Sequence, residues 1–569
     1  MNEGRTKHRS LSGTELLCIL ILAAFELITF RRVLFGGWLI ASGGDALNDA
    51  DGLLAVLMNE HWVRVIRGLE PWDTWMSLYP AKGSVAFNDM YLMHALLYVP
   101  MRLLGMDRYA AFAGMVCGWH AIGTYIWYGM SRKVLRWEPL PALLGTTAFS
   151  FGSYYLVKIW HCQFLAMALV PVVIGSAYVF WMELTGDVKK RRIAGALWVC
   201  MMVLLFYTAP YLAEFVIIAH ILYVVVSFLT SGKAGMAKAL RRIGGYLKKY
   251  WWEILCYIAL GILLMIPFCL LYLPRIGGSS RDYAETLYYC IPWRGVLRLP
   301  SSNLLYGRWM GDTGNGEWAV GIPILEWILL LACFVRAIRK KDGQGIALFL
   351  TTGLVYGTVL RVHGMSLWKV FYALIPGAAS MRAVCRMALM AIPFAALLLG
   401  RTAQGMLQIA SSEAGRTEMK QKGRNVAVLG ILCVTLLVYA ENAQSGGIAC
   451  AWTRDTALAR EERLLALAGT VPADCESFYC VESAAGAEMA EYPGFYRGCA
   501  DAWLLADLIG VPTLNSFASF LPEGYGETYN IYTASYEGDV RNWIQTNDLR
   551  NVYRFDLSSG TWMKVGEQP

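Results

Sequence analysis

Apolar runs of about 17–25 residues, the length that crosses a bilayer core, recur along this chain between Leu16 and Ala440. Short polar loops separate them, and the clearly basic loops are 131–137, 189–192, 230–250, 336–341 and 401–424. Lys and Arg loops stay on the cytoplasmic side, so the alternation orders the spans. The run 90–104 breaks that order if it crosses the membrane. It is short and holds His94, Pro100 and Arg102, so it is expected to lie as a helix in the outer interface. The spans are then 15–36, 109–130, 140–157, 163–182, 193–208, 211–229, 251–273, 319–338, 344–361, 385–400 and 425–441. That is about eleven crossings, with the N-terminus inside and the C-terminus outside. Arg31 and Arg32, near the outer end of the first span, run against the charge rule. Arg5, Lys7 and Arg9 precede that first run, but no small-residue cleavage site follows it, so it reads as an uncleaved span.

Two outer segments are long enough to be functional rather than connecting. The first, 37–108, carries Asp45, Asp49, Asp51, Glu60, Glu70, Asp73 and Asp89 before its interfacial helix, against Arg64, Arg67 and Lys82. The second, 274–318, carries Arg275, Arg281, Arg294, Arg298 and Arg308. Beyond Glu441 the chain turns polar, with a strand expected at 551–557. The expected fold is an all-α polytopic membrane bundle over 1–441 with outer interfacial helices. A small extracytoplasmic α/β domain over 442–569 completes it.

Composition agrees with this pattern. Only 16% of the 569 residues are charged, against about 25% in an ordinary soluble chain. Mean hydropathy is +0.43. The 21 Trp and 31 Tyr suit the two membrane–water interfaces. The net charge of +8 is concentrated in loops that set orientation, so it implies no nucleic-acid partner. None of the 14 Cys forms a C-x-x-C pair, which argues against a zinc site. Cys450, Cys475, Cys480 and Cys499 lie in the expected exported region, where an oxidising environment predicts at least one disulfide.

The carboxylates of the first outer segment stand in Gly43-Gly44-Asp45-Ala46-Leu47-Asn48-Asp49-Ala50-Asp51 and in Phe87-Asn88-Asp89. Such groups can accept a proton from an attacking hydroxyl, or hold a divalent metal that neutralises a departing phosphate. They can equally form a solvated acidic loop. Arg382 and Arg386 are spaced to share one helical face toward a phosphate, or to anchor in lipid headgroups. His161 and Gln163 fit sugar or phosphate contact and helix capping equally well. Glu26, His120, Glu214 and His220 fall inside spans. Ionisable groups there are functional candidates by default, although packing between spans is the better account of His120 and His220.

The order of these elements resembles the bacterial membrane glycosyltransferases of the GT-C superfamily, and most closely an uncharacterised branch related to YfhO-type proteins. The resemblance rests on the early Gly-Asp, on Tyr79-Pro80 and on Phe87-Asn88-Asp89. Phe149-Ser150-Phe151 with Tyr154 and then His161-Cys162-Gln163 continue it. So do Gly316-Glu317-Trp318 and Met381-Arg382-Ala383-Val384-Cys385-Arg386, where Val384 replaces the usual Pro. Gly510-Val511-Pro512-Thr513-Leu514-Asn515-Ser516 closes the series. The resemblance implies a polyprenyl-phosphate-linked sugar donor, an envelope acceptor and a site on the outer membrane face. It makes Asp45 the first and Asp89 the second candidate for the base. Arg382 and Arg386, with Arg281, Arg294 and Arg298, become candidates for the donor phosphate, and His161, Gln163 and Glu317 for substrate contact. Asp49 and Asp51 read Asp-x-Asp and are the candidates for a divalent metal such as Mg or Mn. A lipid or lipid-oligosaccharide transporter, or a non-catalytic membrane scaffold, would use the same residues without bond cleavage. Transporters often show inverted repeats and broken midplane helices, and neither is visible here.

Overall fold

A computed structural model describes residues 12–40, 50–276, 281–311, 316–412, 417–448, 450–485, 496–526 and 528–566. Asp45 and Asp49 lie outside the described residues. Every apolar segment expected to span contains helix, but 140–157 is split into Pro139–Ser150 and Ser153–Lys158, and 319–338 becomes α-helical only at Ile324. Gly13–Thr29 begins at Ser12, whose hydroxyl accepts from the Glu15 amide. Arg108–Lys133 begins at Asp107, whose carboxylate accepts from the amides of Tyr109 and Ala110. Such caps satisfy amides that a helix start otherwise leaves open. Cys162–Met182, Pro210–Thr230, Gly232–Arg275, Val384–Ala410 and Lys422–Asn442 are long and apolar enough to cross a membrane. The run expected at the interface is the helix Leu92–Leu103. Its 12 residues reach about 18 Å, well short of a hydrocarbon core of about 30 Å.

Ion pairs mark the two ends of the bundle. At one end Arg132 meets Glu15 at 3.1 Å, Arg401 meets Asp342 at 2.9 Å and Arg424 meets Glu138 at 3.5 Å. The basic segments 131–137, 336–341 and 401–424 therefore share this end. The other end carries the long polar segments. There Arg108 reaches Asp507 at 2.7 Å, and Arg102 bonds Glu60 at 2.5 Å. The basic stretch 230–250, expected as a loop, is helical and continues into the following span as Gly232–Ile276, with a break at Tyr250.

The chain after Asn442 folds directly onto the first outer segment. Trp38–Ile40 pairs antiparallel with Cys450–Thr453. A second sheet runs Ser477–Val481 parallel to Val552–Asp556, with Trp562–Lys564 antiparallel beside it. Its middle strand is the one expected at 551–557. The two segments exchange backbone bonds: Leu78 N–H donates to Asn515 O, Tyr79 N–H to Thr513 O and Thr513 N–H to Met76 O. Trp75 packs on Trp503 with ring centroids 5.1 Å apart, and Trp543 Nε1 donates to Tyr79 O at 2.9 Å. The Gly-Val-Pro-Thr-Leu-Asn element of the resemblance is thus a structural splice. Asn515 Oδ1 accepts from the Cys480 amide at 2.8 Å while its Nδ2 donates to Tyr536 Oη at 2.7 Å. Asn515→Ala leaves buried groups unpaired and is expected to cost about 1–3 kcal/mol, read as a lowered thermal midpoint in detergent.

The disulfide expectation is corrected, because all four cysteines of this region are free. Cys450 stands on the strand Cys450–Thr453, whereas Cys475 lies just before Ser477–Val481 of another sheet. Cys480 and Cys499 are buried as small apolar groups.

Candidate functional site

The site grows from the turn that closes the first outer segment. Gly83 takes φ +64, and a Cβ there would sit 2.5 Å from Arg275 Nη2. Glycine suits this positive-φ turn and leaves room for the arginine, which a side chain here would displace. Arg275 in turn donates to Lys82 O at 2.8 Å. The turn leads into Asn88 and Asp89. Tyr272 donates to Asn88 O at 2.7 Å, and Ser519 Oγ donates to Asn88 Oδ1 at 3.0 Å. Asp89 is therefore framed by the first outer segment, the helix Gly232–Ile276 and the C-terminal segment together. Burial pushes its carboxyl up to about 7, and Arg386 opposes part of that rise. Tyr91, Tyr211 and Tyr272 all lie within its electrostatic reach.

Beside it sits an ion cluster assembled from four segments. Glu317 accepts from Arg386 through two bonds, Nη2 to Oε1 at 2.7 Å and Nε to Oε2 at 3.1 Å. Lys158, wholly buried, donates to Glu317 Oε2 at 2.7 Å. Burial raises the Glu317 carboxyl, but Arg386 and Lys158 outweigh it and hold the group well below the usual carboxylate range. Arg386 Nη2 also stands 2.9 Å from His161 Nε2, and His161 Nδ1 is 3.6 Å from Asp51. His161 Nε2 also stands 3.2 Å from Glu317 Oε1, so it accepts from Arg386 in one tautomer and donates to Glu317 in the other. Burial and then Arg386 lower the His161 pKa, which keeps the ring neutral. Burial lowers the Lys158 pKa and Glu317 opposes that fall; with Lys158 protonated, two cations stand against the one Glu317 carboxylate and leave a positive surplus beside Asp89.

His161 precedes the short helix Cys162–Leu169 without capping it, and Gln163 Oε1 accepts from Tyr91 Oη at 2.9 Å. Neither side chain serves as a helix cap. Arg382 and Arg386 do not share a helical face, because Val384–Met390 is a 3-10 turn that begins between them. Arg386 is buried, whereas Arg382 is exposed with its guanidinium 5.5 Å from the Tyr289 ring. Arg281 lies nearby, donating to Ser519 O at 3.2 Å and stacking over Phe520. Arg294 is exposed and stacks on Trp293. Arg298 is held by its carbonyl, which accepts from Gly321 N–H at 2.7 Å.

The structure thus brings together Asp51, Asp89, His161, Gln163, Glu317 and Arg386, with Arg281 and Arg382 at the margin. Lys158, Tyr91, Tyr211 and Tyr272 were not legible. A lysine at the edge of an apolar run, flanked by Tyr154 and Trp160, was the available signal for Lys158. Nothing distinguishes three tyrosines among 31. Among the described residues no three His, Cys, Asp or Glu side chains gather as a metal site. Asp51 faces His161, and the carboxylate of Glu317 is bonded by Arg386 and Lys158.

Solved structures of similar form include two of ArnT and one of an archaeal oligosaccharyltransferase. ArnT from Cupriavidus metallidurans bound to undecaprenyl phosphate shares 12% identity over 88% of this chain and 86% of its own, with a TM-score of 0.44. Its apo form aligns over 95% and 92% at 12% identity and TM-score 0.45. The apo Archaeoglobus fulgidus oligosaccharyltransferase aligns over 95% of this chain and 69% of its own, at 10% identity and TM-score 0.49. No protein-family model and no curated protein matches the sequence.

Proposed function

We propose that this protein transfers a sugar from a polyprenyl-phosphate-linked donor to a hydroxyl of a cell-envelope acceptor, at the bundle end that carries Asp89. In this reading that end faces outside, the C-terminal segment lies on it, and the N-terminus is cytoplasmic. The supporting observation is a carboxyl pushed up to about 7 beside a buried cationic cluster. In the proposed step the acceptor oxygen attacks the anomeric carbon and its proton passes to Asp89. The bond from that carbon to the phosphate oxygen breaks, and the electron pair leaves with the lipid phosphate. A base with pKa near the working pH combines correct protonation with driving force. The phosphate gains charge as it departs, and the positive surplus at Arg386 and Lys158 stabilises that charge without reorganising. Arg382 and Arg281, at the margin, reach for the same phosphate. Gln163 and Tyr91 offer polar contacts for sugar hydroxyls. Asp45 is the competing base, and Asp49 with Asp51 are the residues that would hold a divalent metal.

The test is the purified chain in lipid nanodiscs with a short-chain polyprenyl-phosphate sugar, scored for release of free lipid phosphate. Release coupled to glycosylated acceptor supports an enzyme, whereas donor uptake without cleavage supports the transporter reading. Arg382→Ala is expected to raise the donor KM about 10-fold or more with a smaller change in kcat, the loss of one charge-assisted contact. An unchanged KM removes Arg382 from donor binding.

A further inference from the structure

The helix Gly232–Ile276 is two helices joined at Tyr250, whose φ −131 and ψ 20 are not helical. Tyr272 of the second part reaches Asn88 beside the site. At 1.5 Å per residue Tyr250 lies about 33 Å away, roughly a hydrocarbon thickness. Residues 232–249 therefore lie at the membrane face opposite the site. The second part behaves as a lipid-facing span, with Leu255, Ile258, Ile262, Leu263 and Ile266 exposed.

Residues 232–249 differ from it in kind. They contain no acidic residue. At 100° per residue, Met236, Leu240, Ile243 and Leu247 fall within a stripe of about 60°. Met236, Leu240 and Leu247 are exposed. Lys238, Arg241, Lys248 and Lys249 occupy the opposite side and are exposed as well. A buried clamp sets the angle between the two parts. Glu253 accepts from Arg191 at 3.0 Å and from Arg192 at 2.8 Å, and Arg191 lies over the Tyr250 ring at 4.0 Å. Arg242 adds a second hold, donating to Trp181 O at 2.8 Å and Met182 O at 2.9 Å. The short helix is thus pinned at its base while its apolar stripe stays uncovered by the described residues.

We propose that residues 232–249 are a docking element for anionic lipid headgroups in the leaflet opposite the site. The stripe around Leu240 sinks to the acyl boundary and the lysines and arginines bind headgroup phosphates. An amphipathic helix rich in basic residues lies in the interface in this way, and its affinity depends on anionic lipid. The proposal does not depend on sugar transfer.

The test uses the full chain in nanodiscs of phosphatidylglycerol or phosphatidylcholine, with a benzophenone amino acid at position 240 or 245. Lipid adducts are expected at 240 and not at 245, which lies on the polar side. The combined variant K238E, R241E, K248E and K249E is expected to lose about tenfold or more of the preference for phosphatidylglycerol, read as lipids retained in native mass spectrometry. If charge reversal prevents insertion, glutamine at the same positions is expected to give the same direction of change. Equal adducts at 240 and 245, or a preference unchanged by removing the charges, would overturn the proposal.

Discussion

Asp89→Asn is expected to lower sugar transfer by about 10²–10⁴-fold while donor binding stays within a few-fold, because asparagine keeps the shape but takes no proton. The pH profile sharpens this. A base acts as its carboxylate, and the Asp89 carboxyl is pushed up to about 7. In the wild type kcat/KM should rise about tenfold per pH unit up to about 7 and then level. That limb should vanish in Asp89→Asn. The stability effect has its own sign. A folded-state pKa above the unfolded carboxylate value favours the fold at low pH, and that contribution is lost as pH rises through 7. The variant should therefore be no less stable than wild type at pH 8, so a loss of activity there is not a loss of folding. Asp45→Asn is the comparison. If it removes the alkaline-rising limb and Asp89→Asn does not, Asp45 is the base.

The second large effect falls on Glu317. It is the shared partner of Arg386 and Lys158, and Lys158 is wholly inaccessible. Removing one member of a buried ion group strands the others, at a cost of about 3–5 kcal/mol. Glu317→Ala is accordingly expected to lower the thermal midpoint in detergent sharply and to abolish activity. The double variant Lys158→Met with Glu317→Gln removes a cation together with the carboxylate. It should recover much of the midpoint without recovering turnover, since the positive surplus beside Asp89 has been rearranged. Full activity in Glu317→Ala with an unchanged midpoint would show that the cluster is neither structural nor part of the site.

Legibility followed the range of the forces involved. The strand expected at 551–557 is found at Val552–Asp556, and the short run at 90–104 is a helix too short to cross. Both come from local patterns of apolar and polar residues. The shared face expected for Arg382 and Arg386 failed for a local reason as well. Val384–Met390 winds as a 3-10 turn, so spacing of four no longer aligns side chains. Arg386 turned inward to Glu317 and Arg382 stayed at the surface.

By itself the sequence determined the membrane class. Runs of apolar residues leave no other solvent for the helices they form, and the basic loops group at one end of the bundle as the charge rule requires. It also determined that a carboxylate before the interfacial helix was worth testing. Only the tertiary structure decided what Asp89 faces. Lys158, His161, Glu317 and Arg386 are separated by as many as 228 positions of chain, and their meeting depends on packing between helices rather than on any local signal. The same holds for Thr513-Leu514-Asn515, which complete the first outer segment from the far end of the chain. Buried charges must find partners wherever the fold provides them, and the fold, not the spacing, sets which partners those are.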